Sequence, residues 1–352
     1  MIAADQPIQR AAAARLLVID SSGAMHRAPR RELARFLAPG DLLVANDAAT
    51  LPASLAGHHH PTGRAIEARL AGRSSLAFED IHEVTAVVFG EGDHRTPTED
   101  RPAPPPLQIG DDLALGPLRA TVTATLGHPR LVGLRFAGTP SEIWSGIAHH
   151  GRPVQYAHIE EPLALWDVWT RVAAVPAAFE PPSAGFLLDW RLIADLRRQG
   201  VAFATLTHAA GLSSTGDSEL DRRLPLDEPY RIPATTVQAI TRTRARGGRV
   251  IALGTTVIRA LEHSSRDGVP TQGDGLANQR IGPSSSLQVV DALISGAHEP
   301  GESHYELLRS LLDDDQLAAM SAALEGEAYR NHEFGDSVLI ERPRPAALAL
   351  AG

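Results

Sequence analysis

The spacing of apolar residues changes twice along the chain, from a mixed helix and strand pattern to short alternating runs and back again. Near the start, Leu16–Ile19 and Leu42–Val44 are short apolar runs typical of buried strands, with a helical turn predicted over Arg31–Phe36. Beyond Pro153, helical and strand periods alternate once more. They predict helices over Leu188–Leu196, Ala234–Arg246, Tyr305–Leu312 and Gln316–Leu324, and strands over Val201–Leu206 and Leu287–Val290.

The middle of the chain has a different spacing of apolar residues. Short runs with a period of two, separated by Gly, Pro and Asp, are typical of a small antiparallel barrel or sandwich. These runs are Ala65–Leu70, Glu83–Phe89, Leu113–Leu115, Arg119–Thr125 and Leu131–Phe136. Because both flanks have the pattern of one shared sheet, we predict an α/β fold with an insertion. Residues 1–56 and 152–352 would form a large mixed-sheet α/β domain, and residues 57–151 an inserted antiparallel β-barrel domain.

The segment Gly247–Glu262 contains the clearest local pattern. It predicts a glycine turn, a buried strand over Val250–Leu253, a loop of Gly254, Thr255 and Thr256, and an amphipathic helix with Arg259 on its polar side. We expect Thr255 or Thr256 to cap this helix. The first backbone N–H groups of a helix can also receive an anionic group of a ligand.

The composition excludes several kinds of chemistry. The 352 residues include no cysteine, and all 33 basic residues are arginine. Lysine-based Schiff bases, a Walker A lysine, thiol nucleophiles, thiolate metal sites and disulfides are therefore excluded. The formal net charge of -9 disfavours a broad nucleic-acid surface but leaves room for a local arginine patch. No long apolar span or leader pattern is present, which predicts a cytoplasmic protein without a membrane partner.

Two groups of adjacent histidines, residues 58–60 and 149–150, could be metal ligands. Adjacent imidazoles on a loop rarely converge on one ion, and no thiolate supports them. We therefore predict no metal and no prosthetic group.

Six segments of the chain, taken in order, resemble the S-adenosylmethionine:tRNA ribosyltransferase-isomerases of queuosine biosynthesis. Core-forming segments agree most closely, and the sequence of Gly247–Glu262 is nearly that of the family. The six segments are Asp41–Leu55, Pro181–Asp189, Glu228–Ile232, Gly247–Glu262, Val290–Pro300 and Tyr329–Ile340.

The resemblance implies a reaction and its substrates. The ribosyl part of S-adenosylmethionine would be transferred to 7-aminomethyl-7-deazaguanine in a tRNA anticodon and isomerised to the epoxycyclopentane of epoxyqueuosine, with release of adenine and methionine. S-adenosylmethionine would be a substrate, and tRNA the partner. The sulfonium acidifies the neighbouring C5′ protons, so the protein must supply a base for one proton and an acid for departing adenine.

Candidate site residues follow from the loops of these segments and from the loop that begins at His208. We expect His208, Glu228 and His298 to be catalytic. Substrate would be bound by a larger set, namely Asn46, Asp47, Ser183, Ala184, Gly185, Tyr230, Gly254, Thr255, Thr256, Arg259 and Asp336. Each has a structural alternative: the histidines can bond backbone, Glu228 can be solvated and Tyr230 can pack in the core. Asn46 and Asp47 can form a side-chain-bonded turn, Ser183–Gly185 can enter a helix, and Asp336 can belong to a turn.

Several loops depart from the family pattern, and the departures leave two other functions open. Ala48, Ala49 and Ser54 stand where the family has threonine and arginines, and the glycine-rich loop after His208 has lost glycines. The lost arginines and the acidic charge favour an enzyme of the same fold that acts on a small nucleoside or S-adenosyl compound without tRNA. The lost glycines favour a non-catalytic relative that binds a ligand or a partner.

Overall fold

A computed structural model describes residues 1–299 and 301–343, and Pro300 of the fifth family-like segment lies outside the described residues. Its elements are bounded as follows. The strands are β1 Ile2–Ala3, β2 Arg15–Ile19, β3 Met25–Pro29, β4 Leu42–Asn46, β5 Ala48–Thr50, β6 Ser54–His59, β7 Ala65–Gly72, β8 Glu83–Phe89, β9 Asp112–Leu115, β10 Leu118–His128, β11 Leu131–Phe136, β12 Val175–Ala178, β13 Ala202–His208, β14 Glu228–Ile232, β15 Val250–Leu253, β16 Ser265–Arg266, β17 Val269–Pro270, β18 Gly273–Ala277, β19 Ala292–Gly296, β20 Arg330–Asn331 and β21 Ser337–Glu341. The α-helices are α1 Pro140–His150, α2 Trp190–Arg198, α3 Ser218–Asp221, α4 Ala234–Ala245, α5 Thr255–Ser264, α6 Ser303–Leu308 and α7 Asp314–Gly326.

A mixed sheet of nine strands forms the larger part of the molecule. Its order is β18-β14-β13-β4-β15-β19-β21-β2-β3. The four central strands β13, β4, β15 and β19 run parallel, while β14 and β18 on one side and β21 and β3 on the other pair antiparallel to a neighbour. The carboxyl ends of the four central strands therefore meet at one edge of the sheet, which is where ligands of open α/β sheets bind.

Alternating residues of the central strands bury both faces of the sheet. Val44 and Val250 pack with α4, α5, α6 and α7 on one face, whereas Leu43, Ala45 and Ile251 pack with α2 and the 3₁₀ turn of Arg30–Phe36 on the other. This double covering explains why the central strands are continuous apolar runs in the sequence.

Six antiparallel strands, which lie between β4 and β13 in the sequence, close into a barrel. The barrel contains β6 to β11 in the order β10-β11-β8-β7-β6-β9. The α/β fold class and the barrel predicted from the sequence are thus confirmed. The division into domains at residues 57 and 151 stays a prediction.

Several elements differ from the sequence prediction, and helix α1 and the sheet strands β3, β14, β18 and β21 are among those that it missed. Strand β6 was missed: it begins at Ser54, and a Cβ on its Gly57 would lie 2.1 Å from the backbone oxygen of Ala114 on β9. The predicted strand at Leu287–Val290 was wrong, because the sheet strand is Ala292–Gly296. The backbone N–H groups of residues 288–290 instead donate to the carboxylate of Glu262 at 2.6 to 2.9 Å, so they are not available to a sheet.

No helix in the described part of the chain has the combination of length and apolar character that crossing a membrane requires.

Candidate active site

A cavity of about 570 Å³ opens at the carboxyl edge of the central strands. Its wall is formed by the loop after β13, the start of α5, the loop after β19 and the segment before Gly185. Eight of the predicted site residues line it: Glu228, His298, Ser183, Ala184, Gly254, Thr255, Thr256 and Arg259. The volume is in the range of cavities that hold small-molecule ligands. Residues from four separate parts of the sequence therefore share one pocket.

The start of α5 faces this cavity without a side-chain cap. The residue before the helix is Gly254, at φ +100° and ψ 153°, and no side chain bonds the first turn. The expectation that Thr255 or Thr256 caps the helix is therefore wrong, since both lie within its first turn. Uncapped N–H groups carry the positive end of the helix dipole, so this turn can receive an anionic group.

Glu228 and Arg259 form a buried ion pair in the cavity wall. Glu228 lies on β14 and Arg259 on α5, and each side chain is at most 7% exposed. The second carboxylate oxygen of Glu228 accepts a 2.6 Å hydrogen bond from the backbone N–H of Gly211. Burial lowers the pKa of Arg259 to about 10, so the guanidinium is still charged near neutral pH. Arg259 was expected on the solvent side of its helix, and this expectation is wrong because its charge pairs with Glu228.

His208 lies behind Glu228 and not on the cavity wall. Its ring is completely buried, with Nε2 3.4 Å from Oε2 of Glu228, and neither ring nitrogen has a hydrogen-bond partner. Burial, followed by the charge of Arg259, lowers the pKa of His208 well below its usual value. The imidazole packs against Glu228 without a hydrogen bond, and His208 does not line the cavity.

His298 lines the cavity within a cluster of polar side chains that the sequence did not indicate. Its Nε2 is 2.8 Å from the Ser295 hydroxyl, its Nδ1 is 3.4 Å from Oε2 of Glu302, and its ring centroid is 4.9 Å from that of His304. Burial, together with the charge of His298, lowers the pKa of His304. Burial raises the pKa of Glu302, but the hydrogen bond and charge of His298, the backbone N–H of Glu299 and the charge of His304 together leave that pKa below its usual value.

Glu180 also lines the cavity, although the sequence analysis did not select it. The side chain is 8% exposed. It immediately precedes the Pro181–Asp189 segment, and a single charged residue after the apolar Val175–Phe179 was the signal that could have identified it.

Asn46 and Asp47 tie the carboxyl ends of the central strands together. Asn46 donates from Nδ2 to the backbone oxygen of His208 at 2.9 Å, and accepts from the N–H groups of His208 and Ala48 at 3.0 Å. Asp47 accepts from the Thr207 hydroxyl at 2.7 Å. These bonds form the side-chain-bonded turn that was the alternative to ligand binding, and neither residue lines the cavity.

The remaining predicted residues divide between the cavity wall and the protein interior. Ser183 and Ala184 line the cavity, whereas Gly185 is buried against Thr170. A Cβ on Gly185 would lie 2.9 Å from Cγ2 of Thr170. Tyr230 is 4% exposed in the core, and its hydroxyl lies 2.9 Å from Nδ1 of His263. It does not face the cavity, so base stacking is not available to it.

Asp336 lies elsewhere in the fold. Its carboxylate accepts from the backbone N–H of Arg15 at 2.7 Å and of Arg330 at 2.9 Å, and pairs with the Arg15 guanidinium at 3.0 Å. It therefore joins β2 to the turn before β21, and it does not line the cavity.

Histidines of the two adjacent groups bind neighbouring side chains and backbone. His59 pairs with Asp111 at 3.0 Å and with the Thr62 hydroxyl at 2.9 Å, and His150 bonds the backbone oxygen of Ala56 at 2.7 Å. Over residues 1–299 and 301–343, no group of three or more histidine or acidic side chains is arranged to hold a metal ion.

Comparison with known proteins identifies the class to which this fold and cavity belong. The model of the queuosine biosynthesis protein family matches residues 1–340. The chain therefore belongs to the queuosine biosynthesis protein family, and the resemblance found in the sequence is confirmed.

Named relatives match the chain over nearly all of its length. It is similar to the S-adenosylmethionine:tRNA ribosyltransferase-isomerases of Synechococcus elongatus (30% identity, 93% of this chain and 89% of the relative) and Gloeobacter violaceus (32% identity, 96% and 92%). A crystal structure of the S-adenosylmethionine tRNA ribosyltransferase from Thermotoga maritima shares the fold, with a TM-score of 0.51 at 24% identity over 96% of each chain.

Proposed function

We propose that the chain is an S-adenosylmethionine:tRNA ribosyltransferase-isomerase that makes epoxyqueuosine in tRNA, and that the cavity is its S-adenosylmethionine site. The observation that carries the proposal is the meeting of Glu228, Thr255 and His298, from three separate family-like segments, around one pocket. The named relatives support the reaction type. An enzyme that modifies tRNA in this way would work in the cytoplasm.

The cavity offers partners for two charged groups of S-adenosylmethionine, the methionine carboxylate and the sulfonium. The uncapped first turn of α5 would receive the methionine carboxylate, because its N–H groups are free of a side-chain cap. The carboxylates of Glu180, Asp221 and Glu228 line the same cavity and would favour the sulfonium cation.

Glu228 is suited to holding the adenine and not to moving a proton. Arg259 binds one carboxylate oxygen of Glu228 and the N–H of Gly211 binds the other, and His208 packs behind the carboxylate. A carboxylate fixed in this way can still accept a hydrogen bond from the amino group of adenine. His298 would contact the ribosyl group, with its orientation set by Ser295 and Glu302.

The reaction can be tested by the requirement for tRNA. The purified protein should be incubated with S-adenosylmethionine and with tRNA that carries 7-aminomethyl-7-deazaguanine, and adenine and methionine should be quantified by chromatography. We expect both products in equal amounts only when this tRNA is present. Release of adenine without tRNA would instead support an enzyme of small S-adenosyl compounds, and binding without release in either case would support a ligand-binding relative.

Two exposed arginines at the cavity, Arg222 and Arg280, provide local positive charge for tRNA phosphates on an otherwise acidic chain. Replacing both by alanine should raise the KM for tRNA several-fold. It should also reduce the slope of log affinity against log salt by about 1 for each phosphate contact that is lost.

The affinity for S-adenosylmethionine alone provides the comparison for these variants, and Arg135→Ala on the barrel provides a control for charge. Arg135 is 63% exposed, has Glu83 as its one ion-pair partner among the described residues and does not line the cavity, so its loss should leave the KM for tRNA unchanged. A salt slope equal to that of the unaltered protein in the double variant would contradict a role of the two arginines in tRNA binding.

A further inference from the structure

Glu180 is placed where a substrate in the cavity can reach a deeply buried carboxyl group. It follows β12, and the N–H of the preceding Phe179 is fixed by a 2.8 Å bond to the backbone oxygen of Ala210. Glu180 lines both the large cavity and a narrow second cavity beside Tyr156. It therefore forms part of the wall between them.

Hydrogen bonds from uncharged donors fix the Glu180 carboxyl group. Tyr156 donates its hydroxyl to Oε1, and the backbone N–H of Ser213 donates to Oε2 at 3.0 Å. In the described residues, no arginine or histidine nitrogen lies within 4.0 Å of this carboxylate. Burial raises the pKa of Glu180 to about 7, although the bonds from Ser213 and Tyr156 lower it. The group can therefore hold or release a proton near neutral pH.

The other carboxylates of the cavity have different partners. Glu228 pairs with Arg259, and Glu306 pairs with Arg309 at 3.2 Å. Asp221 accepts from the N–H and the hydroxyl of Thr215 at 2.6 Å. Glu228 and Glu306 thus have an arginine partner, which Glu180 lacks. Two carboxylates whose surroundings differ in this way commonly divide binding and proton transfer between them.

One loop supports both Glu180 and Glu228. The N–H of Gly211 donates to Glu228 and the N–H of Ser213, two residues further on, donates to Glu180. A Cβ on Gly211 would lie 2.4 Å from the backbone oxygen of Ala71, so a residue with a side chain cannot replace this glycine without movement of the loop. The loop that departs from the family pattern therefore fixes both carboxyl groups in the cavity wall.

The other ionisable groups around Glu180 set its electrostatic surroundings. Tyr156 bonds it directly, Glu333 raises its pKa, and Arg69 acts on it from the barrel. Arg69 is bound to Glu67 at 2.7 Å and lies 5.6 Å from the centre of the Tyr156 ring. His158 pairs with Glu333 at 3.1 Å, and its ring is stacked 6.3 Å from that of Tyr156. On the cavity side, the charged groups are those of the wall already described: Asp221, Arg222, Glu228, Arg259, Arg280 and Glu306.

We propose that Glu180 is the proton-transfer residue of this cavity, a catalytic role that rests on the proposed function. Its carboxylate takes one C5′ proton of S-adenosylmethionine: the C–H bond breaks, its electron pair stays on C5′ beside the sulfonium, and the proton goes to Glu180. When the bond from ribose to adenine breaks, its electron pair goes to the adenine nitrogen, and the proton passes from Glu180 to that nitrogen. Glu180 is then ionised again, and no proton is gained or lost by the protein.

The variant Glu180→Gln removes the proton acceptor while keeping the shape of the side chain. The amide oxygen can still accept from Ser213, and the amide NH₂ can donate to the Tyr156 hydroxyl. We expect adenine release in the presence of tRNA to slow by about 100-fold or more. The Kd for S-adenosylmethionine should stay within about threefold of that of the unaltered protein, a change of less than 1 kcal/mol. The control is Glu83→Gln, an exposed carboxylate on the barrel that should leave both values unchanged.

The pH dependence of the rate tests proton transfer by Glu180 directly, with Tyr156→Phe as the second variant. The rate constant kcat/KM of the unaltered protein should rise with pH through a midpoint near 7, because only the ionised Glu180 can accept the proton. Tyr156→Phe removes a hydrogen bond that lowers the pKa of Glu180, so the pKa rises and the midpoint should move to higher pH. Glu180→Asp should keep an ascending limb and Glu180→Gln should lose it. A residue with only a structural role would not produce this pattern.

The outcomes separate this proposal from the proposed function. If the unaltered protein releases no adenine with tRNA, the proposed function fails and Glu180 has no such role. If it does release adenine, a Glu180→Gln variant that releases adenine as fast as the unaltered protein overturns the role of Glu180 and leaves the proposed function standing. An unmoved pH midpoint in Tyr156→Phe also overturns it, and this result is accessible even if Glu180→Gln does not fold.

Discussion

Replacing Arg259 by methionine is expected to lower the free energy of unfolding by about 3 to 5 kcal/mol, since the buried carboxylate of Glu228 loses its counter-charge. The guanidinium also donates to the backbone oxygen of Ala277 at 3.0 Å, and this bond is lost as well. Adenine release should fall by at least about tenfold, because Glu228 would no longer be held in the cavity wall. Denaturant unfolding and a tRNA-dependent adenine assay on the same preparation measure both effects.

Two further variants establish that the loss comes from the unpaired charge. Adding Glu228→Gln to Arg259→Met removes the buried negative charge, so the double variant should be more stable than Arg259→Met alone. The matched control is Arg231→Met on β14, the strand of Glu228. Arg231 pairs with Asp274, and the two side chains are 51% and 62% exposed. That pair is expected to contribute less than about 1 kcal/mol. Equal losses for Arg231→Met and Arg259→Met would contradict the account.

Replacing Gly254 by alanine is expected to weaken binding of S-adenosylmethionine by about tenfold or more, equivalent to about 1.4 kcal/mol. At φ +100° and ψ 153° the backbone is in a region open essentially only to glycine, and a side chain there costs about 1 to 3 kcal/mol. The new methyl group would also lie 3.4 Å from Cβ of Ala184, between two segments of the cavity wall. Titration calorimetry with S-adenosylmethionine measures the change.

Gly247→Ala provides the control for backbone strain without a change in the cavity. Gly247 has φ +73°, a Cβ there would meet nothing within 4 Å, and the residue does not line the cavity. We expect it to lower stability by about 1 kcal/mol and to leave the affinity for S-adenosylmethionine unchanged. An affinity of Gly254→Ala equal to that of Gly247→Ala would show that the start of α5 does not contact the ligand.

The parts of the fold that depend on local sequence could be predicted. The β15–α5 unit follows from a short apolar run, flanking glycines and a helical stripe, all within sixteen residues of one another. Strand β6 was missed because Gly57 and the histidines after it break the alternating pattern, and only the pairing with β7 and β9 makes it a strand. Its identity is decided by partners that are distant in the sequence.

The partnerships within the site could not be predicted in this way. Glu228 meets Arg259 because the sheet order places β14 next to β13 and α5 packs against both. The buried state of Glu180 depends on Tyr156 and Ser213, which are 24 and 33 residues away. A sequence pattern can nominate polar residues in loops, but which carboxylate receives an arginine and which remains unpaired is decided only by the packed structure.

A crystal structure with S-adenosylmethionine tests the central claim most directly. The account predicts electron density for the ligand in the cavity, with the methionine carboxylate at the first turn of α5, adenine beside Glu228 and C5′ within reach of Glu180. Density for the ligand at any other place, with this cavity empty, would contradict it.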